Sequence, residues 1–349
     1  MSKPTWIDQT LNAAIRRQFT SEQLADVASL LSRLGIQQAG ICLPDWQRYR
    51  PDLSGVQHYL KLCGMIDLSV SELDWIEQAG IKQIVVAANA VSPVDFTVKL
   101  EAVMIEADRR GLEVTLLLEG LAKLARPEML EVVSRISSYP LAAVIYGDKE
   151  GNGDSLTTFE QITALKNSLN CPIGIQASNA YGLATANTLA AMKAGVRQVV
   201  TAVAGVGGFA PWEEALMVAK QLAKIDIEIP PDLANGCQRV VVALRLTIPE
   251  DKAVIGPAIF SHESGLHVDG VNKDPWLYEP YAPELVGLSR RLIIGKHSGT
   301  TALKTKFAAW GIRLEEVESK KLLASVRALS VRKKSAISDE ELQRLYLFS

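Results

Sequence analysis

Histidine is nearly missing from this sequence. Only His58, His262, His267 and His297 occur in 349 residues, and His58 alone precedes residue 260. A metal site built from several imidazoles is therefore excluded from most of the chain. Cysteine is just as scarce: Cys42, Cys63, Cys171 and Cys237 lie far apart, each in an apolar stretch, with no C-x-x-C spacing. That excludes a disulfide framework or a zinc knuckle and points to reduced, buried thiols in a cytoplasmic protein. Charge of one sign is lacking too. Lys and Arg number 37 against 39 Asp and Glu, a formal net charge of -2, so no basic field exists to hold nucleic acid or an anionic membrane. No apolar run approaches the ~18 residues of a membrane span, and the opening MSKPTWIDQT has no apolar core of signal-peptide length. With 48% hydrophobic and 22% charged residues, the chain reads as one large globular domain plus a smaller one.

Up to about residue 225, short apolar runs alternate with amphipathic stretches. The runs are TWIDQTL (5–11), QQAGICL (37–43), YLKLCGM (59–65), KQIVVAA (82–88), LEVTLLLE (112–119), LAAVIYGD (141–148), PIGIQAS (172–178) and RQVVTAV (197–203). Most are Val/Ile/Leu-rich without alternation, as expected of strands buried on both faces of a parallel sheet. The helical patterns between them end in Gly. In SEQLADVASLLSRLG, Ser21 is placed to cap a helix whose stripe is Leu24, Val27, Leu30, Leu31 and Leu34. Eight strand–helix repeats of this length predict an α/β fold, a (β/α)8 TIM barrel. A doubly wound sheet is the competitor, but no G-x-G-x-x-G follows the first strand. The reading assigns the barrel to residues 1–227, with its eighth helix running from Trp212 to Ile227. Residues 228–349 are assigned to a linker and a smaller, mainly helical carboxy-terminal region. There Phe307, Trp310, Leu314 and Val317 are expected on one buried face.

Four segments carry a family resemblance: YGLATANTLAAMKAGV (181–196), HESGLHVDG (262–270), DPWLYEPYAPELVG (274–287) and IGKHSG (294–299). Together they resemble the homocitrate synthase and 2-isopropylmalate synthase family, most of all its nitrogenase-associated members, over essentially the whole length. The resemblance implies a pyruvate carboxyltransferase-like barrel. It also implies a Claisen condensation of acetyl-CoA with a 2-oxo acid on a divalent metal held by an Asp, two His and often an Asn. A neighbouring Arg steadies the developing alkoxide.

The barrel departs from that pattern residue by residue. Where the family has D-T-T-L-R-D-G, this chain has Asp8, Gln9, Thr10, Leu11, Asn12, Ala13 and Ala14, so Asn12 replaces the catalytic Arg and Ala13 the metal-binding Asp. Where the family has H-x-H-N-D, it has Gln176, Ala177, Ser178, Asn179 and Ala180. Allowing a three-residue deletion, the last ligand position falls on Phe209. In the family's G-G-E-D-A-S-R, Glu119 survives, while Asp and Arg become Gly120 and Lys123; D-T-x-G becomes Asp148, Lys149, Glu150 and Gly151. All four ligand positions (Ala13, Gln176, Ser178, Phe209) and the Arg are thus replaced, mostly by groups that do not coordinate a hard cation. No cofactor is expected.

His267 and Tyr278 match the family's acid–base pair. Alternatively, HESGLHVDG is retained because it packs a subunit interface or holds the fold. HESGLH is not a zincin motif, since histidines five apart lie about 140° apart round a helix. Lys149, at the carboxyl end of strand six, is a Schiff-base candidate if burial lowers its pKa, and otherwise a solvated loop lysine. Asp8, Glu119 and Asn179 are candidates to line a polar pocket, vestigial or substrate-binding, which Phe209 and Trp212 would plug. AGVGGF reads as a shortened connection rather than a phosphate loop.

Three functional expectations follow. The first is a non-catalytic or accessory homologue, as a homodimer or in a heterodimer with an active homocitrate synthase-like paralogue. The resemblance implies that the carboxy-terminal segment of one subunit reaches over its mate's barrel, so this chain would complete or regulate the paralogue's site. The second is a metal-independent lyase or acyltransferase using Lys149 or His267 and Tyr278, with acetyl-CoA and a 2-oxo acid as ligands. The third is an ordinary condensing enzyme with misaligned ligands.

Overall fold

The computed structural model describes residues 3–91, 93–263 and 279–348. Its first compact unit, Met1–Ile248, contains the strands β1 (Thr5–Asp8), β2 (Gln38–Cys42), β3 (Lys61–Asp67), β4 (Gln83–Asn89), β5 (Glu113–Glu119), β6 (Ala143–Asp148), β7 (Ile173–Ala177) and β8 (Gln198–Ala202). Each is parallel to the next, and β8 pairs back onto β1 with Trp6 opposite Val199. The sheet is therefore a closed parallel barrel, the TIM barrel that the apolar runs predict, with a strand at every one of those runs, β3 and β4 extending one or two residues beyond theirs. Every residue of β6 and of β7 is buried, which explains why neither run alternates. Inside the barrel, Ile7, Cys63, Val85, Leu117, Ile145 and Val200 form an apolar layer. That layer is the floor on which the polar residues at the strands' carboxyl ends stand.

Local sequence sets the helix ends. The helix Ala184–Ala194 stops because Gly195 takes φ 98, a left-handed conformation that costs glycine nothing. Helix α1 (Thr10–Arg16) follows β1 almost at once and is buried from Thr10 to Ile15. Helix α2 (Ser21–Arg33) is capped by Thr20, not Ser21. Thr20 has extended backbone (φ -66, ψ 162), whereas Ser21 is already inside the helix. The Thr20 hydroxyl accepts from Gln23 N at 3.3 Å, and Gln23 Oε1 accepts from Thr20 N at 3.1 Å, a reciprocal capping box. The eighth barrel helix ends at Gln221, short of Ile227, and Lys224 beyond it is left-handed at φ 54. The barrel unit also takes in the helix Leu233–Ala243, within the segment that the sequence reading assigns to the linker and carboxy-terminal region.

The second unit, Pro249–Ser349, holds the helices Thr300–Ala309, Glu316–Lys333 and Asp339–Leu347. Phe307 is fully buried at their centre, with Trp310 and Tyr346 rings 5.0 Å away. Leu314 joins this core, but Val317 does not: it lies in the first turn of its helix and is 68% exposed. In the same unit Ser261–His262 pairs in parallel with Arg291–Leu292. Among the described residues no helix is long and apolar enough to cross a membrane. None of the four cysteines forms a disulfide, with Cys63 and Cys237 buried and Cys42 and Cys171 half-buried.

The capping box gives a direct test. Thr20→Ala is expected to lower stability by about 1 kcal/mol and Ser21→Ala to leave it nearly unchanged. Urea melts of the two variants decide, and equal losses would return the cap to Ser21.

Candidate functional site

A cavity of about 630 Å³ opens at the carboxyl ends of the strands, where barrel folds build their sites. Its walls include Gln9, Asn12, Glu119, Lys149, Gln176 and Phe209. Of the three residues expected in a polar pocket, Glu119 and Asn179 line it. Asp8 does not. It is fully buried and turned toward Thr10, accepting from Thr10 N at 2.9 Å and from the Thr10 hydroxyl at 3.0 Å. Burial pushes its carboxyl up to about 7, against those two hydrogen bonds that lower it. The expected plug is only partly formed: Phe209 lies half-buried on the apolar floor, Trp212 is buried elsewhere, and the cavity stays open.

Asn12, in the place of the family's Arg, is a clasp. Its Oδ1 accepts from Cys42 N at 2.9 Å, while its Nδ2 donates to Gly40 O at 2.9 Å and to Gln9 Oε1 at 2.8 Å. One amide thus ties α1 to β2 and holds Gln9 in the cavity wall. Gly40 makes the room, because a Cβ there would stand 2.2 Å from Gln9 Nε2. Across the mouth Gly147 does the same for Glu119, whose Cδ would lie 2.8 Å from an added Cβ.

Glu119 closes β5. Its Oε2 accepts from Lys149 N at 3.0 Å and its Oε1 from Gln176 Nε2 at 3.3 Å. Burial raises its pKa first of all, with the Lys149 hydrogen bond and charge opposing. Burial likewise raises Asp148, whose carboxylate accepts from Asn152 N at 2.8 Å and Gly153 N at 3.1 Å and so shapes the loop. Lys149 lines the cavity but is exposed, so the structure does not supply the burial that a Schiff-base lysine requires.

The four positions matched to the family's metal ligands do not form a donor set. Ala13 is buried in α1 and has no donor. Gln176 is committed to Glu119. Ser178 Oγ accepts from Ala180 N at 3.3 Å, and Phe209 offers only a ring. Among the described residues no group of three or more His, Cys, Asp or Glu could hold a metal ion. The residues at these positions therefore do not fit a hard divalent cation. Asn179 orders the chain after β7: its Oδ1 accepts from Ala184 N at 3.3 Å, and its N–H donates to Gly208 O at 2.8 Å. In AGVGGF the Ala204 N–H donates to the buried Glu213 carboxylate at 2.9 Å. A carboxylate thus sits where an anion would bind, in keeping with a connection.

His267 and Tyr278 lie outside the described residues. The flanking parts of their motifs are interlocked. Glu263 Oε1 accepts from His297 N at 2.7 Å, and the Ser298 hydroxyl donates to Glu263 O at 3.0 Å. A Cβ on Gly295 would stand 2.5 Å from Glu263 Oε1. HE (262–263) and GKHSG (295–299) thus hold each other. The Gln9–Asn12 amide pair escaped the sequence reading; the signal that marks it is Gly40, an isolated glycine inside a strand pattern.

Two family models match. HMGL-like covers residues 3–233, and the homocitrate synthase post-HMGL domain-like model covers residues 254–334. The chain is 40% identical over 203 residues to 2-isopropylmalate synthase 2 of Caldanaerobacter subterraneus, covering 57% of this chain and 53% of that one. It is 37% identical over 221 residues to homocitrate synthase 1 of a Nostoc species, covering 62% and 59%. It therefore spans a little over half the length of these curated relatives. Among solved structures, an HMG-CoA lyase from Bacillus subtilis superposes with a TM-score of 0.59 at 16% identity, over 71% of this chain and 96% of that one. That likeness concerns the fold alone.

Two predictions follow from the site. The folded protein binds the Asp8 proton more tightly than the unfolded chain does, since the folded value is raised. Stability from this residue is therefore greatest below pH ~4 and is lost as pH rises toward 7, by roughly 4 kcal/mol at most. Asp8→Asn removes the penalty, so the stability difference between variant and parent is expected to widen from pH 4 to 7; a constant difference in denaturant melts would refute it. Asn12→Ala strands Cys42 N–H and Gly40 C=O and is expected to cost about 1–3 kcal/mol in the same assay.

Proposed function

The chain belongs to the HMGL-like family, and from that membership we propose a homocitrate synthase-like protein that has lost the divalent-metal site and the catalytic Arg. It acts as a non-catalytic or accessory subunit that completes or regulates an active paralogue, in a homodimer or a mixed dimer. The observation that carries this reading is the fate of the ligand positions. Ala13 is shut inside α1, Gln176 is spent on Glu119, and Phe209 lies on the cavity floor. Asn12 supports it as well. An Arg steadies an alkoxide by pointing a cation at it, whereas Asn12 has both ends of its amide engaged with Gln9 and β2. The interlock of Glu263 with His297 N and Ser298 supports a structural role for the retained carboxy-terminal motifs.

A second reading rests on the open cavity. Lys149 lines it beside Glu119, and a lysine there attacks a carbonyl once deprotonated. That reading predicts borohydride trapping of a 2-oxo acid on Lys149.

The deciding experiment measures bound metal in the purified protein together with CoA release from acetyl-CoA and a panel of 2-oxo acids. The expected result is metal far below one per chain, no thiol release by the protein alone, and co-purification with an active homocitrate synthase-like protein. Stoichiometric Mg, Mn or Zn with turnover would return the chain to the condensing enzymes. Thiol release without metal would favour Lys149.

A further inference from the structure

Val317, outside the helical core of the carboxy-terminal unit, belongs to an apolar surface. It is 68% exposed, Val331 56%, Leu347 74% and Phe348 89%. Single exposed apolar residues are ordinary, but these are ordered. In the helix Glu316–Lys333, Val317, Lys321, Ala324, Ala328 and Val331 follow at intervals of 4, 3, 4 and 3 residues, and all five are exposed. At 3.6 residues per turn they fall within a band of about 80° along one side of the helix. That is the seam spacing of two helices packed side by side. Next to Val317 a groove of about 520 Å³, walled also by Lys321, Tyr346 and Leu347, carries the surface past the helix end.

Charge along the flanks of this seam selects the partner and its direction. Glu318 and Arg332 are 14 residues apart, two heptads, and so lie on the same flank. Arg332 is exposed and has no ion pair among the described residues. Glu318 accepts from Glu315 N at 3.3 Å and has no basic partner among them. On the other flank the bases are engaged within the chain: Lys320 meets Glu316 at 3.2 Å, and Arg327 donates to Ser298 O at 2.9 Å. A parallel copy would gather like charges, bringing Arg332 of each helix toward Arg327 of the other. An antiparallel copy, related by a twofold axis beside Ala324 and Ala328, sets Glu318 of each against Arg332 of the other, twice over. The small side chains at the axis let the helices approach, and Val317 and Val331 close the seam at its ends. Lys321 is the one charge in the seam. Its stem lies along apolar surface while its head reaches water, and a single lysine in such a seam fixes the register.

We propose that this face of the helix Glu316–Lys333 is a homodimer interface. A second copy of the chain packs antiparallel across Ala324 and Ala328, with Glu318 of each copy against Arg332 of the other. The inference concerns the carboxy-terminal unit alone and is independent of what the barrel binds.

The test is sedimentation velocity of the full chain from about 1 to 100 μM, the range in which an interface at the small end of the specific class associates. The expected result is a monomer–dimer equilibrium that shifts with concentration. Ala324→Arg puts two guanidinium groups at the axis and should raise the dissociation constant at least about tenfold. Arginine is a good helix former at an exposed position, so circular dichroism and thermal melting should match the parent. Arg332→Glu should weaken the dimer by about threefold or more, and adding Glu318→Lys to it should restore association, since the charges then face each other with signs exchanged. A monomer at every concentration would overturn the proposal. So would a dimer that Ala324→Arg leaves intact, or a double variant that associates no better than Arg332→Glu alone. Each of those results leaves the metal-free reading of the barrel standing, because that reading is decided by bound metal and thiol release.

Discussion

The hydrogen bond from Cys42 N–H to Asn12 Oδ1 is the constraint on which the barrel mouth depends. A backbone N–H has no choice of role, so this bond orients the Asn12 amide and, through it, the Gln9 amide. It also ties the start of α1 to the end of β2. The bonds from Asn12 contribute about 1 kcal/mol each, modest in energy but decisive for polarity. A cationic Arg at position 12 has no acceptor to offer Cys42 N–H, and the Gln9 orientation would be free. With Asn at position 12 the end of β1 fixes an amide, where an Arg would project charge.

The opposite wall obeys the same logic with a weaker lock. Glu119 is oriented by Lys149 N–H, yet burial raises its pKa. Ionisation of the carboxylate strengthens its hold on Gln176, whereas Asn12 and Gln9 carry no titratable group. The two walls also share a device. A missing Cβ at Gly40 admits Gln9, and one at Gly147 admits Glu119. Glycine in a barrel strand weakens the strand locally, and here each vacancy is filled by a polar side chain from the neighbouring strand end.

Much of this architecture is legible in the sequence. Each of the eight apolar runs coincides with a barrel strand to within two residues at its end, because a strand buried on both faces leaves an unbroken run that few other elements produce. Glycine marks helix ends for an equally local reason, as at Gly195. The misses arise where two neighbours compete or where partners are distant. Ser21 and Thr20 are both good caps, and only backbone geometry decides that Thr20 stands outside the helix. Val317 fits the apolar stripe by spacing, but the chain turns after Trp310 and restarts the phase at Glu316. Asp8 looks like a pocket residue because it ends a strand; a two-residue reach to Thr10 turns it away. The amide pairing of Gln9 and Asn12 depends on Gly40, 28 residues beyond Asn12, a separation no periodicity encodes.

The carboxy-terminal motifs and the barrel positions matched to metal ligands answer to different physics. In the carboxy-terminal unit Glu263 accepts a backbone N–H from His297, and its backbone carbonyl accepts from Ser298. Gly295 is held to glycine by the carboxylate that would lie against any Cβ. These letters are required by packing, whatever happens to the chemistry. The ligand positions of the barrel carry no such demand. A side chain that only coordinates a metal contributes little to the fold without it, so Ala13 fits inside α1 and Phe209 rests on apolar neighbours with no strain imposed elsewhere. The contacts of Glu263 with Gly295, His297 and Ser298 are therefore those of a packed scaffold, whereas the network of Gln9, Asn12, Glu119 and Gln176 sets the polarity of the barrel mouth.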